Sequence, residues 1–157
     1  MNPEKEEVPS DQINEELSLQ ELLGIAVRSE IEAADTYRNL VNRKLGKETK
    51  NKIERLVKQE EEHEKMFLSI FEDFFPDEKV NLPDKAEIEN SAKISREASV
   101  EEIFVKAMQN ERKSEKFYSD LRKKFEDKEI RRLLGFMAAN EREHYEILKT
   151  ELEKIKN

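Results

Sequence analysis

The sequence predicts an all-α protein: a four-helix bundle of two duplicated helical hairpins, with a long crossover between the second and third helices. Three observations carry this expectation. Charged residues make up 42% of the 157 residues while glycine and proline number only three and four, so regular structure can break at only a handful of places. The apolar residues, 36% of the chain, recur at helical spacing and so gather on one face of each segment. The chain also repeats itself, residue n matching residue n+81 without a gap. The expected organisation is a loosely held lead-in over 1–17, then one bundle domain over 18–157. Within it the hairpins fall at about 18–75 and 99–156, and the crossover at 76–98.

Ser18-Leu19-Gln20-Glu21 has the form of a capping box, in which the Ser hydroxyl and the Glu three residues later satisfy free amides at a helix start. From it Leu19, Leu22, Leu23, Ala26, Val27, Glu30, Ala33, Ala34, Tyr37, Leu40 and Val41 recur at helical spacing. Gly46 marks a turn. A second helix is expected from about Glu48 to Phe74, with Ile53, Leu56, Val57, Glu60, His63, Phe67, Ile70, Phe71 and Phe74 inward, and Pro76 ends it. The polar connection that follows has room for a short helical piece around Asp84 to Lys93. Ser99-Val100-Glu101-Glu102 is a second capping box, opening a third helix whose stripe carries Ile103, Phe104, Ala107, Met108, Glu111, Tyr118 and Leu121. After a turn at Glu126 to Lys128, the fourth helix turns Leu133, Leu134, Met137, Ala138, Glu141, His144, Leu148, Leu152 and Ile155 inward.

Four glutamates interrupt these apolar stripes. An ionised carboxylate in such a place costs several kcal/mol unless something pairs with it. Glu60-x-x-His63 places a Glu and a His on one side of a helix, within reach of one ion. The second copy, Glu141-x-x-His144, lies at the repeat offset and holds the only other histidine. Glu30 and Glu60 are equidistant from the first turn, and Glu111 and Glu141 from the second, so antiparallel hairpins bring each pair to the same height. Four carboxylates and two neutral imidazoles carry a charge that two divalent cations cancel, and two such ions about 4 Å apart would share bridging carboxylates. Imidazole and carboxylate together accept iron, manganese, cobalt or zinc.

These residues resemble the ferritin-like di-iron carboxylate superfamily, and most closely the di-iron domain of rubrerythrin, over roughly Ser18 to Ile155. The resemblance implies a ferritin-like bundle in which Glu30, Glu60, His63, Glu111, Glu141 and His144 hold two iron ions, with Tyr37 and Tyr118 as functional tyrosines beside them. It also implies reduction of hydrogen peroxide or dioxygen, an oxidative-stress role, and a homodimer. Two departures stand out. The further glutamate that rubrerythrins carry one turn after the third-helix ligand is Ser114 here, with Glu115 next to it as a candidate replacement. A rubredoxin domain is also missing, so electrons are expected from a separate donor protein. The competing functions are a ferroxidase storing iron in a ferritin-type cage, and a metal-free helical module that binds partners through its acidic surface.

Composition narrows the rest. A net charge of −8 argues against a nucleic-acid partner, which needs clustered positive charge. The basic groups at Arg43-Lys44 and Arg122-Lys123-Lys124 read as helix ends, where cations complement the dipole. Without cysteine the chain carries no thiolate-held iron. No signal peptide and no run of about 18 apolar residues is present. The expectation is a cytoplasmic protein with no membrane association.

Overall fold

The computed structural model describes residues 17–84, 86 and 97–157. The expected lead-in, except Leu17, and nearly all of the expected short helical piece in the crossover lie outside the described residues.

Four helices account for the secondary structure of the described residues: α1 (Leu19–Val41), α2 (Lys47–Phe74), α3 (Val100–Arg122) and α4 (Lys128–Lys156). Each start has a local cause. At α1 the capping box is complete, with Glu21 N–H donating to Ser18 Oγ at 3.1 Å and Ser18 N–H to Glu21 Oε1 at 3.2 Å. At α3 the Ser99 hydroxyl accepts from Glu102 N–H at 3.1 Å, which is the hydroxyl half of the expected box. Asp127 caps α4 through the amides of Glu129 and Ile130. Gly46 is the extended N-cap of α2 at φ −60°, so the turn does not use its freedom to adopt positive φ.

Short turns make α1 antiparallel to α2 and α3 antiparallel to α4. The crossover sets how the hairpins join. It leaves α2 beside the start of α1, and its described residues meet α1 at successively later positions. Gln20 Nε2 donates to Glu78 at 3.4 Å, Arg28 Nε to the Pro83 carbonyl at 2.7 Å, and the Ala86 N–H to Glu32 at 2.9 Å. Near the end of α1, Arg43 donates to the Ala98 carbonyl at 2.7 Å, just before α3 begins. From Gln20 to Arg43 the climb is about 35 Å at about 1.5 Å per helical residue. α3 therefore runs antiparallel to α1. Helices α1 and α3 touch, as do α2 and α4, while α2 lies diagonally across from α3.

The interior is two apolar layers. One holds Leu22, Leu23, Val27, Phe67, Phe71, Phe117, Leu121, Leu134 and Met137. The other holds Leu40, Ile53, Leu56, Ile103, Phe104, Leu148 and Leu152. The repeat offset carries Leu22 to Ile103, Leu23 to Phe104 and Phe67 to Leu148, exchanging the layers. The pseudo-twofold axis is thus perpendicular to the bundle and passes between them. Phe74, expected inside, is 42% exposed and lies against Phe75 and Phe125 at the bundle's end, one turn beyond the closed core.

Gly24 is the one glycine whose missing side chain the packing requires. A Cβ there would stand 2.5 Å from the Asn81 carbonyl oxygen of the crossover, whereas at Gly135 it would meet only the Arg122 side chain, at 3.7 Å. Replacing a helical glycine with alanine normally gains about 1 kcal/mol, and overpacking costs about 1–3 kcal/mol. Gly24→Ala is expected to lower the melting temperature and Gly135→Ala to leave it unchanged or raise it. A Gly24→Ala variant melting above the parent in thermal denaturation would refute the close packing of crossover on α1.

Candidate metal centre

Between the two apolar layers the stripes turn polar. Glu30 of α1, Glu60 and His63 of α2, Glu111 of α3, and Glu141 and His144 of α4 converge there, each no more than 2% exposed. The reason is local: each acid lies at the middle of an amphipathic helix, on the buried face, and each histidine is one turn after its glutamate. Glu61 and Glu62, between the paired residues, face outward.

The six side chains form two overlapping groups, Glu30, Glu60, His63 and Glu141, and Glu60, Glu111, Glu141 and His144. Within each group, one ligand atom from each residue lies within 4.8 Å of those of the others. Glu60 and Glu141 belong to both groups, while Glu30 and His63 belong to one and Glu111 and His144 to the other. The pseudo-twofold relates the groups, and the two imidazoles stack nearly parallel, 15° apart with centroids at 6.1 Å.

Both histidines turn Nδ1 inward. His63 Nδ1 is 2.9 Å from Glu141 Oε1 and 3.4 Å from Glu30 Oε1; His144 Nδ1 is 2.8 Å from Glu60 Oε1 and 3.6 Å from Glu111 Oε2. Glu30 Oε2, His63 Nδ1, Glu111 Oε2, Glu141 Oε1 and His144 Nδ1 are buried without a hydrogen-bond partner. Each buried polar atom left so costs about 1–3 kcal/mol. All five point into one layer, and mixed carboxylate and imidazole donors at this spacing fit a pair of divalent cations.

The tyrosines reach across the repeat. The Tyr37 hydroxyl donates to Glu111 Oε1, and the Tyr118 hydroxyl to Glu30 Oε1. Each hairpin's tyrosine thereby orients the other hairpin's outer glutamate. Burial, followed by the charge of the nearby glutamates, pushes both phenols well above their usual range, so they stay protonated donors. Burial also raises Glu141 well above the ordinary carboxylate range, reinforced by the charges of Glu111, Glu60 and Glu30. For Glu111 burial pushes the same way, but the neighbouring Glu141, His144 and Tyr37 side chains outweigh it and lower its pKa. The two acids are thus pushed in opposite directions, Glu111 down and Glu141 up.

Two features around the cluster were not singled out from the residues alone. His144 Nε2 lies 2.5 Å from Gln59 Oε1, and His63 Nε2 lies 3.2 Å from Asn140 Nδ2. Gln59 and Asn140 match at the repeat offset, and that recurrence of an amide was the available signal. Ser114, standing where a further glutamate was looked for, is buried with its hydroxyl 3.4 Å from that of Ser29 on α1. Glu115 does not replace it. Its carboxylate is turned to the surface, 4.0 Å from Arg142, because one residue further along the helix points about 100° away.

The rubrerythrin family model matches residues 21–152. A solved structure described as a hypothetical protein from Pyrococcus furiosus is 28% identical, with a TM-score of 0.77 over 87% of this chain and 89% of that one. No curated protein matches the sequence. No helix among the described residues is long and apolar enough to cross a membrane. The family match spans all four helices and every side chain that converges between the two apolar layers, and the chain belongs to the rubrerythrin family.

Proposed function

We propose that the chain is a di-iron oxidoreductase that reduces hydrogen peroxide or dioxygen, acting in the cytoplasm as a homodimer with electrons from a separate donor protein. The observation that carries this reading is the pair of overlapping buried ligand groups that share Glu60 and Glu141. Glu30 and His63 would complete one iron position, and Glu111 and His144 the other; manganese, cobalt or zinc fit the same donors. Two bound ferrous ions would supply one electron each, which with two protons converts a peroxide molecule to two waters.

The chain's own residues hold the conditions for that step. The apolar layers on either side keep bulk water from the cluster. Tyr37 and Tyr118, remaining protonated, keep a hydrogen bond on one oxygen of Glu111 and of Glu30 and leave the other free to ligate. Glu60 and Glu141, common to both groups, would help hold both ions. Absence of cysteine leaves the chain without a thiolate-held iron to pass electrons inward.

Sharing predicts a difference between the carboxylates that metal analysis can read. Wild-type protein loaded anaerobically with ferrous ion should hold about two ions per chain. Glu60→Ala or Glu141→Ala should lose both, Glu30→Ala or Glu111→Ala only one. The reduced, loaded wild type should reoxidise with peroxide at least tenfold faster than Glu60→Ala; equal rates would end the peroxidase reading. Light scattering should give a dimer, and a shell of 24 subunits would shift the reading to iron storage.

The raised pKa of Glu141 sets a pH dependence. Its folded pKa is raised, so in metal-free protein its contribution to stability is present at low pH and is lost as pH rises through that pKa. Metal ions must displace the proton, so affinity should weaken on acidification. At about 100-fold excess over Kd, each ion should add about 2.7 kcal/mol, a rise of roughly 5–10 °C for a chain of this size. The rise should be larger at pH 8 than at pH 5.5. A melting temperature that ignores added ferrous or manganous ion at both pH values would contradict the site.

A further inference from the structure

We propose that Gln59 and Asn140 are positioning residues that select the metal-binding tautomer of the histidine on the opposite hairpin. The inference rests on the di-metal reading above and assigns a role to two side chains outside the ligand set.

A neutral imidazole carries its proton on one nitrogen and offers a lone pair on the other, and only the lone pair can bind a metal ion. In both rings Nδ1 faces the carboxylates and Nε2 faces out. A ligating ring must therefore keep its proton on Nε2. Gln59 Oε1, 2.5 Å from His144 Nε2, can only accept a hydrogen bond there, which holds the proton on that nitrogen. Asn140 occupies the related place on α4, its amide 3.2 Å from His63 Nε2. A side-chain amide presents its carbonyl by a half-turn about its last bond, so Asn140 can accept from His63 as Gln59 does from His144.

The placement has a second support that is independent of the distances. The repeat is not strict at neighbouring exposed positions: Glu61 becomes Arg142, although Glu62 and Glu143 match. At residue 59 and its partner 140 it keeps a side-chain amide, although Gln59 is exposed and Asn140 only half-buried. Packing does not demand an amide at such a position; the ring nitrogen beneath it does. Each bond also runs between hairpins, from α2 to α4 in both directions, so neither hairpin can set its own histidine.

The test uses full-length protein with zinc as the probe. Gln59→Leu and Asn140→Leu remove the acceptor at similar volume, and Gln59→Glu and Asn140→Asp restore one. Loss of such an outer hydrogen bond typically weakens a metal site by about 10–100-fold. Each leucine variant should weaken zinc at the position of the histidine it serves by that factor, and leave the other position unchanged. The acidic variants should recover most of it. In zinc-loaded wild type, nitrogen NMR should show both rings metallated at Nδ1 and protonated at Nε2, and the leucine variants should show faster exchange of that Nε2 proton. Metal-free variants should melt within about 2 °C of the parent, which separates the effect from misfolding. Two zinc ions held with wild-type affinity by both leucine variants would overturn the assignment alone, because solvent would then suffice as acceptor. A wild type that holds no zinc would overturn the di-metal reading together with it.

Discussion

Four glutamates from four helices are buried in one layer of this bundle, and the rest of the structure answers to that constraint. Each ionised carboxylate removed from water costs several kcal/mol after relaxation, and like charges within 4.8 Å of one another add repulsion. The upward shift of Glu141, which favours its neutral form, relieves a part. The tyrosine hydroxyls satisfy one oxygen each on Glu30 and Glu111. What remains is a set of inward lone pairs on oxygen and nitrogen, and among the described residues no buried Lys or Arg supplies a fixed cation to meet them. The apolar layers above and below set the strength of the demand, since they exclude the water that would otherwise screen it.

A pseudo-twofold perpendicular to the helices explains why the answer takes a binuclear form. Residues near the axis meet their own copies: Glu60 and Glu141 become common to both groups, and the two imidazoles stack. Residues farther from it meet the other hairpin's machinery, as Tyr37 does with Glu111 and Tyr118 with Glu30. These contacts also fix the register of α1 against α3, where small side chains such as Ala33, Ser29 and Ser114 let the helices approach. The far end of the bundle is closed differently. There Glu151, 1% exposed, accepts from Thr49 at 2.8 Å and pairs with Lys52 and Lys154, each at 3.1 Å. Its repeat counterpart, Ile70, is ordinary core.

Much of this was legible in the residues because it depends on periodicity and spacing. The helix limits followed from capping residues and from the places where the apolar stripe stops. The six converging side chains followed from polar residues standing in that stripe at one offset, and the tyrosines from the same stripes. The partners across space were not legible in this way. Gln59 lies on the exposed side of α2, so an inward-stripe argument passes over it, although its purpose is the ring edge that α4 presents. Buried Phe117 and half-exposed Phe74 depend on where neighbouring helices end, which a single helical wheel does not contain. Glu115 was ambiguous for the opposite reason, being acidic and adjacent to the right turn but on the wrong side of it.

The crossover accounts for the differences between the halves that the centre does not. Its described residues run along α1, where Asn81, Pro83 and Ala86 cover part of the helix surface. Gly24, Ile25 and Arg28 meet it or lie beneath it, and their repeat mates are Val105, Lys106 and Gln109. Val105 is 42% exposed, whereas Ile25 is 8% exposed. A backbone carbonyl passing over α1 requires a residue without Cβ at Gly24, whereas its repeat mate Val105 stands exposed. Divergence between the hairpins therefore follows contact: the residues that face the axis keep their chemistry in both copies, and those that face the crossover keep it in one.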